Sequence, residues 1–245
     1  MNMFIFLFTM LFTQSSWAFK LNLLESTLEL NKSKATTATI INDSTGMIAI
    51  EATARVRVYD ENGEENFDTI AEDLIIIPSQ MIIKPNEEQV LSVRWMGAPN
   101  IPNEKAYRLL IEYVSISDDQ LKGKEAEEQQ AGINIEYRIA KSFYVAPKGA
   151  KPNVALQGMY KINVNGTNKL RFTFKNLGSK HQIAHSITVQ YTKNDGNTLD
   201  VTYKEADMGG SVNFLAQQTR DVILPLPTDV LADQIQGAII VGFNQ

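Results

Sequence analysis

The sequence predicts an all-β protein made of two sandwich domains in tandem. Short segments rich in β-branched and aromatic residues recur along the chain, and clusters of Gly, Pro, Asn and Asp separate them. No apolar pattern with a helical period extends beyond about two turns. Residues 147–152 contain two prolines and a glycine without apolar periodicity, which is typical of a linker. The strand spacing within each half suggests an immunoglobulin-like sandwich.

The first domain is expected to hold seven or so short strands. Each is an apolar or alternating run that ends at a turn signal, such as the cluster at 42–46 or the Asn62-Gly63 pair. The polar, charge-rich segment 118–130 is expected to be a solvated loop. The predicted strands are residues 35–41, 48–59, 74–77, 81–83, 90–95, 107–116 and 133–145.

The strand pattern restarts after the linker. Its clearest predicted strands are residues 170–174, 187–191, 219–224 and 238–243. The predicted organisation is therefore a signal peptide at 1–18, an N-terminal domain at 19–147, a linker at 148–152 and a C-terminal domain at 153–245.

The N-terminus has the pattern of an export signal. Residues 3–12 are apolar, and Ser16-Trp17-Ala18 places small residues where cleavage after Ala18 requires them. The alternative is a membrane anchor, but the apolar run is too short to span a bilayer. No later stretch is long and apolar enough to do so, and we expect an exported chain that begins at Phe19.

Composition and motifs exclude several functions. The chain has no cysteine, so thiolate catalysis and Cys-ligated zinc are excluded. Its net charge of −5 argues against a nucleic-acid partner. Phosphate-binding, dinucleotide-binding and nucleophile-elbow motifs are missing. His181 and His185 lie between a turn and a strand, where we expect surface or loop histidines rather than metal ligands. We predict no enzyme, no cofactor and no metal.

The most informative segment is the apolar stripe of the strand at 133–145. Alternation places Ile133, Ile135, Tyr137 and Ile139 on one face, and Lys141 continues the same face. Burying an unpaired ammonium is costly, so an ordinary core strand would not carry this lysine. The stripe is therefore predicted to meet another molecule.

Three segments resemble the periplasmic chaperones of the chaperone–usher pilus pathway. Residues 76–87 (IIPSQMIIKPNE), followed by a strand that ends in Val-Arg, are similar to one family pattern. Residues 104–109 (EKAYRL) resemble the start of the family's sixth strand, and residues 140–147 (AKSFYVAP) resemble the end of its seventh. The Tyr-Arg-Leu-Leu-Ile run and the lack of cysteine look more like the archaic or alternative branch.

The resemblance implies two immunoglobulin-like domains in an L-shaped arrangement, and a seventh strand lent to a pilus subunit that lacks one. Four apolar side chains would enter pockets in the subunit, while Lys141 would grip its C-terminal carboxylate. The family pairs this lysine with an arginine on the first strand, but residues 23–30 (LLESTLEL) contain no cation, so the second anchor is missing or displaced. The donor-strand side chains are Ile133, Ile135, Tyr137 and Ile139.

The resemblance also implies an internal ion pair between Arg94 and Glu104 that orients the domains. The implied partners are pilus or fimbrial subunits and an outer-membrane usher. Free chaperone would self-associate through its exposed edge. Binding would take place in the periplasm and would need no ATP. The alternative is an exported two-domain adhesin or surface interaction protein in which the stripe is simply core. A carbohydrate-active enzyme would need convergent carboxylates and aromatics, which the spacing does not reveal.

Overall fold

A computed structural model describes residues 19–23, 26–60, 63–114, 138–227 and 234–244. The predicted signal peptide lies outside these residues. In the described parts the chain is almost entirely β, with one short helix, α1 (Glu205–Met208). The first eleven strands are β1 (Phe19–Leu23), β2 (Thr27–Glu29), β3 (Ala35–Asn42), β4 (Ile48–Val56), β5 (Val58–Tyr59), β6 (Glu65–Asn66), β7 (Leu74–Ile77), β8 (Gln80–Ile83), β9 (Glu88–Trp95), β10 (Lys105–Val114) and β11 (Arg138–Ala146).

Nine of these strands form the two sheets of the first sandwich. One sheet has the order β1-β3-β9-β7 and the other β2-β11-β10-β4-β8, and neighbours run antiparallel except β2 and β11, which are parallel. Alternation along β3 and β4 turns Ile40 and Ile50 into a shared core. Tyr107 and Phe143 from the second sheet are fully buried there. The predicted period-two pattern therefore builds this layer.

Eight strands follow and form the second sandwich. They are β12 (Val154–Val164), β13 (Thr167–Asn176), β14 (Gln182–Ala184), β15 (Ser186–Lys193), β16 (Thr198–Lys204), β17 (Val212–Phe214), β18 (Thr219–Pro225) and β19 (Ile235–Asn244). The sheet orders are β12-β13-β18, β16-β15-β19 and β14-β17. The core centres on Phe174, whose ring centroid lies 5.1 Å from that of Phe214 and 6.0 Å from that of Phe243. Such tilted and edge-on contacts suit the aromatic quadrupole.

The two cores are separate. Buried apolar residues of the first lie between positions 28 and 145, and those of the second between 170 and 235. The segment 148–152, which we propose as the linker, lies between them. Among the described residues, no helix combines the length and apolar character needed to cross a bilayer.

In each sandwich a fully buried asparagine lies at the end of a long strand, Asn42 in β3 and Asn176 in β13. The amide of Asn42 donates to the Ile83 carbonyl at 3.0 Å, and that of Asn176 donates to the Phe214 carbonyl at 2.9 Å. Both side chains satisfy buried backbone groups that the strand ladders leave unpaired. Each therefore ties the end of a strand to a part of its domain that is distant in sequence.

The predicted strand at 48–59 is interrupted at Arg57. Strand β4 ends at Val56 and β5 begins at Val58, where it pairs with β6 instead. The Arg57 backbone N–H donates to the Ala106 carbonyl at 2.9 Å, and only 5% of its side chain is exposed. Because a buried guanidinium needs polar partners, its contacts override the alternating pattern at this point.

Candidate binding site

Strand β11 has an edge that other described strands cover only in part. On one side it pairs with β10 along residues 138–145. On the other side β2 pairs only with residues 144–146, and the Tyr144 N–H also donates to the Ser26 carbonyl at 2.9 Å. Residues 138–143 thus have no strand partner on that side in the part of the chain that the structure describes. Unpaired peptide groups along such an edge can pair with an extended segment of another chain.

Lys141 lies in the middle of this uncovered edge. It stands opposite Leu109 of β10 and shares a face with Phe143 and Val145, which are completely buried. Lys141 itself is exposed, and its ammonium has no ion-pair partner among the described residues. The cation therefore interrupts the apolar face of β11, between the half-buried Ile139 and the buried Phe143.

The apolar stripe is only partly visible in the structure. Ile139 is half-buried and packs against the first core rather than standing free. Ile133, Ile135 and Tyr137 lie outside the described residues. Their assignment as donor-strand side chains therefore stays a prediction.

A second cationic group lies on the other face of the sheet. Arg108 of β10 binds Glu65 through two contacts, Nε to Oε1 at 2.5 Å and Nη2 to Oε2 at 2.8 Å. Arg57 binds the same carboxylate, with Nη2 2.7 Å from Oε2. Burial alone would raise the pKa of Glu65, but hydrogen bonds from Arg108 and Arg57 outweigh it and hold the pKa below its ordinary value. Two guanidinium groups share one carboxylate, so the cluster carries a net charge of about +1.

The guanidinium of Arg108 extends across β11 toward the uncovered edge. Its Nη1 donates to Ser142 Oγ at 2.7 Å and approaches the Ala140 carbonyl at 3.4 Å. These two residues flank Lys141 in sequence. The free edge therefore has a lysine on one face and an arginine on the other. The sequence interpretation did not identify this arginine.

Tyr144 connects β11 to the second domain. Its hydroxyl accepts hydrogen bonds from Arg57 Nη1 at 3.1 Å and from Asn213 Nδ2 at 2.6 Å. Tyr59 adds a second connection, because its hydroxyl donates to the Asn213 carbonyl at 2.7 Å. The strand with the free edge thus takes part directly in the contact between the domains.

The predicted ion pair between Arg94 and Glu104 is not formed. Arg94 lies on the exposed face of β9, between the buried Val93 and Trp95, and its Nε donates to Ser92 Oγ at 3.1 Å. Arg94 is exposed, whereas the Glu104 carboxylate is fully buried.

Glu104 instead binds the second domain through His181. Its side chain is 0% exposed, and Oε1 lies 2.6 Å from His181 Nδ1 and accepts the His181 backbone N–H at 2.9 Å. The other oxygen, Oε2, is buried without a hydrogen-bond partner. His181 lies in the loop before β14, which agrees with the predicted loop position, but only 11% of its side chain is exposed. His185 is exposed and lies 2.5 Å from Glu205. The described residues contain no cluster of three or more metal-ligating side chains.

The first strands offer no replacement for the missing arginine. Among the described residues of β1 and β2, the single cation is Lys20, which is engaged with Asp43 at 2.5 Å. It pairs in register with Ile41, near the start of β1. A second cation for the free edge must therefore come from another element, and Arg108 is the nearest one identified by contact with β11.

Several solved pilus chaperone structures share this architecture. A chain in the complex of the CsuC chaperone and CsuE tip adhesion subunit, from archaic Csu pili of Acinetobacter baumannii, aligns with a TM-score of 0.56 at 16% identity, over 87% of this chain and 90% of that one. The class 5 fimbriae chaperone CfaA gives 0.53 at 12% identity, over 90% and 98%. The Escherichia coli chaperone DraB gives 0.50 at 12%, over 91% and 96%. The chain has the fold of the pilus chaperones.

This likeness confirms the predicted fold class, because the pilus chaperones consist of two immunoglobulin-like β-sandwich domains. The alignment spans most of both partners, so it includes both sandwiches. No protein-family model and no curated protein matches the sequence.

Proposed function

We propose that the chain is an ATP-independent periplasmic chaperone that binds pilus subunits by β-augmentation and delivers them to an outer-membrane usher. The observation that carries the proposal is the uncovered edge of β11, with Lys141 on one face and Arg108 on the other. The similar CsuC structure was obtained in complex with a tip adhesion subunit. Its fold supports the same class of partner for this chain.

Main-chain pairing would supply the contact, and alternate side chains the specificity. An extended subunit segment can add to the β11 edge through its peptide groups. The predicted apolar side chains at 133, 135, 137 and 139 would each contribute about 1.5–3 kcal/mol on full burial in the subunit. Ile139 already packs partly against the chaperone's own core, so its contribution would be smaller. A strand supplied in this way covers an edge that would otherwise aggregate.

The two cations would fix the register of the bound subunit. Lys141 is exposed and lacks a counter-ion among the described residues, so a terminal carboxylate could pair with it without displacing another group. Arg108 would act as the second anchor in place of the missing first-strand arginine, because it reaches across β11 to Ser142. A guanidinium binds a carboxylate through two parallel hydrogen bonds and so adds direction as well as charge.

The proposal includes no catalytic step. The predicted signal peptide would place the chain in the periplasm, with cleavage after Ala18. Free chaperone would self-associate through the same uncovered edge. The alternative, an exported adhesin, requires that this strand be covered within its own domain. In the part of the chain that the structure describes, no strand pairs with residues 138–143 on the β2 side.

Co-expression with pilin-like subunits from the same gene neighbourhood tests the proposal. We expect the subunit to co-purify with the unaltered chain and with Lys148→Ala, which removes an exposed lysine beyond β11. Lys141→Ala should reduce co-purification about tenfold or more while leaving the fold intact. Equal recovery with Lys141→Ala would show that the anchor is assigned wrongly. No recovery with any form would count against the chaperone function itself.

A further inference from the structure

We propose that Glu65 is an internal substitute for the C-terminal carboxylate of a bound pilus subunit. In the free protein it holds Arg108 over β11. When the subunit binds, Glu65 releases this guanidinium to the subunit's carboxylate. The inference rests on the proposed function, since it concerns regulation of the same edge. Glu65 would thus regulate binding although it lies on β6 and not on β11.

Glu65 binds the Arg108 guanidinium with the geometry expected of a ligand carboxylate. Both of its oxygens contact the guanidinium, one through Nε at 2.5 Å and the other through Nη2 at 2.8 Å. This two-point contact is the geometry in which arginine recognises carboxylates. It leaves Nη1 directed at Ser142 and Ala140 on β11. In the free protein Glu65 therefore orients the guanidinium toward the edge and also blocks its carboxylate-binding side.

The charges favour an exchange of partners. The free cluster has two cations and one carboxylate, so one positive charge is not compensated within it. Arg57 is 5% exposed and Arg108 is 20% exposed, which makes Arg57 the cation that needs a permanent counter-ion. After the exchange Glu65 would remain on Arg57, 2.7 Å from its Nη2, while the incoming carboxylate would neutralise Arg108. The cluster then holds two cations and two carboxylates.

The position of Glu65 also suits a group that shifts. It lies on β6, which has two residues and pairs only with β5, through Val58 with Asn66 and Tyr59 with Glu65. Two-stranded ribbons of this length have little stability of their own. In contrast, Arg108 lies on β10, which is paired on both sides with β4 and β11. Movement of the carboxylate is therefore easier than movement of the guanidinium's strand.

Acetate titration of the free protein tests the exchange, with the arginine Nε–H signals followed by NMR at constant ionic strength. The matched variants are Glu65→Gln and Glu64→Gln, which remove the same charge from neighbouring positions; Glu64 is exposed. The Arg108 signal is assigned by its loss in Arg108→Lys. We expect the signal of Glu65→Gln to saturate at an acetate concentration about tenfold lower, or less, than that of the unaltered protein. Glu64→Gln should respond like the unaltered protein.

Equal responses of the unaltered protein and Glu65→Gln, or none in Glu65→Gln, would overturn the proposal. If Glu65→Gln does not fold, Glu65→Asp keeps the charge with a shorter side chain and decides the matter. An intermediate midpoint supports the exchange, and an unchanged midpoint contradicts it. The titration uses no subunit, so its failure would leave the co-expression result standing. Conversely, failure of subunit capture would not alter the acetate response.

Discussion

The Tyr144 ring lies flat on the His181 imidazole, with ring centroids 3.7 Å apart and 9° between the ring planes. Tyr144 belongs to the strand that carries Lys141, and His181 belongs to the second domain. Since His181 also binds the buried Glu104, a single side chain of the second domain contacts both β11 and the residue that precedes β10. The orientation of the domains and the conformation of β11 are therefore held by shared contacts.

Replacement of His181 by alanine should destabilise the protein. The Glu104 carboxylate would keep the backbone N–H of residue 181 but lose the imidazole, and its second oxygen already has no partner. We expect a loss of about 1–3 kcal/mol in the free energy of unfolding, measured by urea denaturation. The control is His185→Ala, at a histidine that is 54% exposed, where the change should stay within about 0.5 kcal/mol. Similar losses in both variants would contradict the role given to His181.

The contribution of Glu65 to stability should depend on pH in one direction. Its pKa in the folded protein lies below the ordinary value of 4.5, so the ionised form is favoured by folding. The stabilisation is therefore complete above pH 4.5 and declines as pH falls through the lower folded-state pKa. We expect the difference in unfolding free energy between the unaltered protein and Glu65→Gln to be largest near neutral pH and to shrink below pH 4.5.

The same measurement on Glu64→Gln separates this effect from general acid destabilisation. Its difference from the unaltered protein should change little over the same range, because Glu64 is exposed. A difference for Glu65→Gln that does not vary with pH would show that the carboxylate is not held by its two arginines.

The sequence predicted the strands better than it predicted the polar contacts. The alternation of apolar and polar residues was sufficient to predict β3 and β9, because a shift of one residue in strand register would turn a whole apolar face toward solvent. It failed at Arg57, where contacts with Glu65 and Ser142 interrupt the strand. Such contacts depend on which strands are neighbours in the sheet. A single sequence does not provide that information.

In the candidate site, too, the sequence predicted the residue within one strand but not the contacts between strands. Lys141 could be found because a cation interrupts an apolar stripe within one strand. The contact of Arg108 with the edge could not be predicted in this way, because it depends on the pairing of Arg108 opposite Ser142 on the neighbouring strand. The Arg94–Glu104 prediction joined two charges that lie in different environments, while the actual partner, His181, comes from the other domain. A charged residue inside the apolar Tyr-Arg-Leu-Leu-Ile run was the one signal that could have drawn attention to Arg108.

The apolar stripe can be tested by a charge placed on one face or the other. Alternation puts Ile135 on the face that is predicted to enter the subunit and Asn134 on the opposite face. Ile135→Asp should abolish subunit co-purification, because a carboxylate would be buried in an apolar pocket. Asn134→Asp adds the same charge one residue away and should reduce recovery much less. Equal loss in the two variants would mean that net charge, rather than the stripe, governs binding.

A double-mutant cycle tests whether Lys141 and Arg108 grip the same group. Each single change, Lys141→Ala or Arg108→Gln, should weaken subunit binding about 10- to 100-fold, because each removes a charged hydrogen bond to a carboxylate. If both cations hold one carboxylate, the double variant should lose less than the product of the two single effects, since the second change acts on an anchor that is already broken. Binding is measured by titrating purified subunit.

The control for the cycle is Arg138→Gln. It removes a positive charge from β11 on the face of the sheet that carries Arg108, opposite to the face of Lys141. Arg138 is more exposed than Arg108 and is engaged with Glu112 on the adjacent strand. We expect it to change binding less than about threefold and to combine with Lys141→Ala as an independent effect. If Arg108→Gln behaves like Arg138→Gln, the second anchor lies elsewhere. Independent effects of Lys141 and Arg108 would instead indicate two separate anionic groups on the subunit.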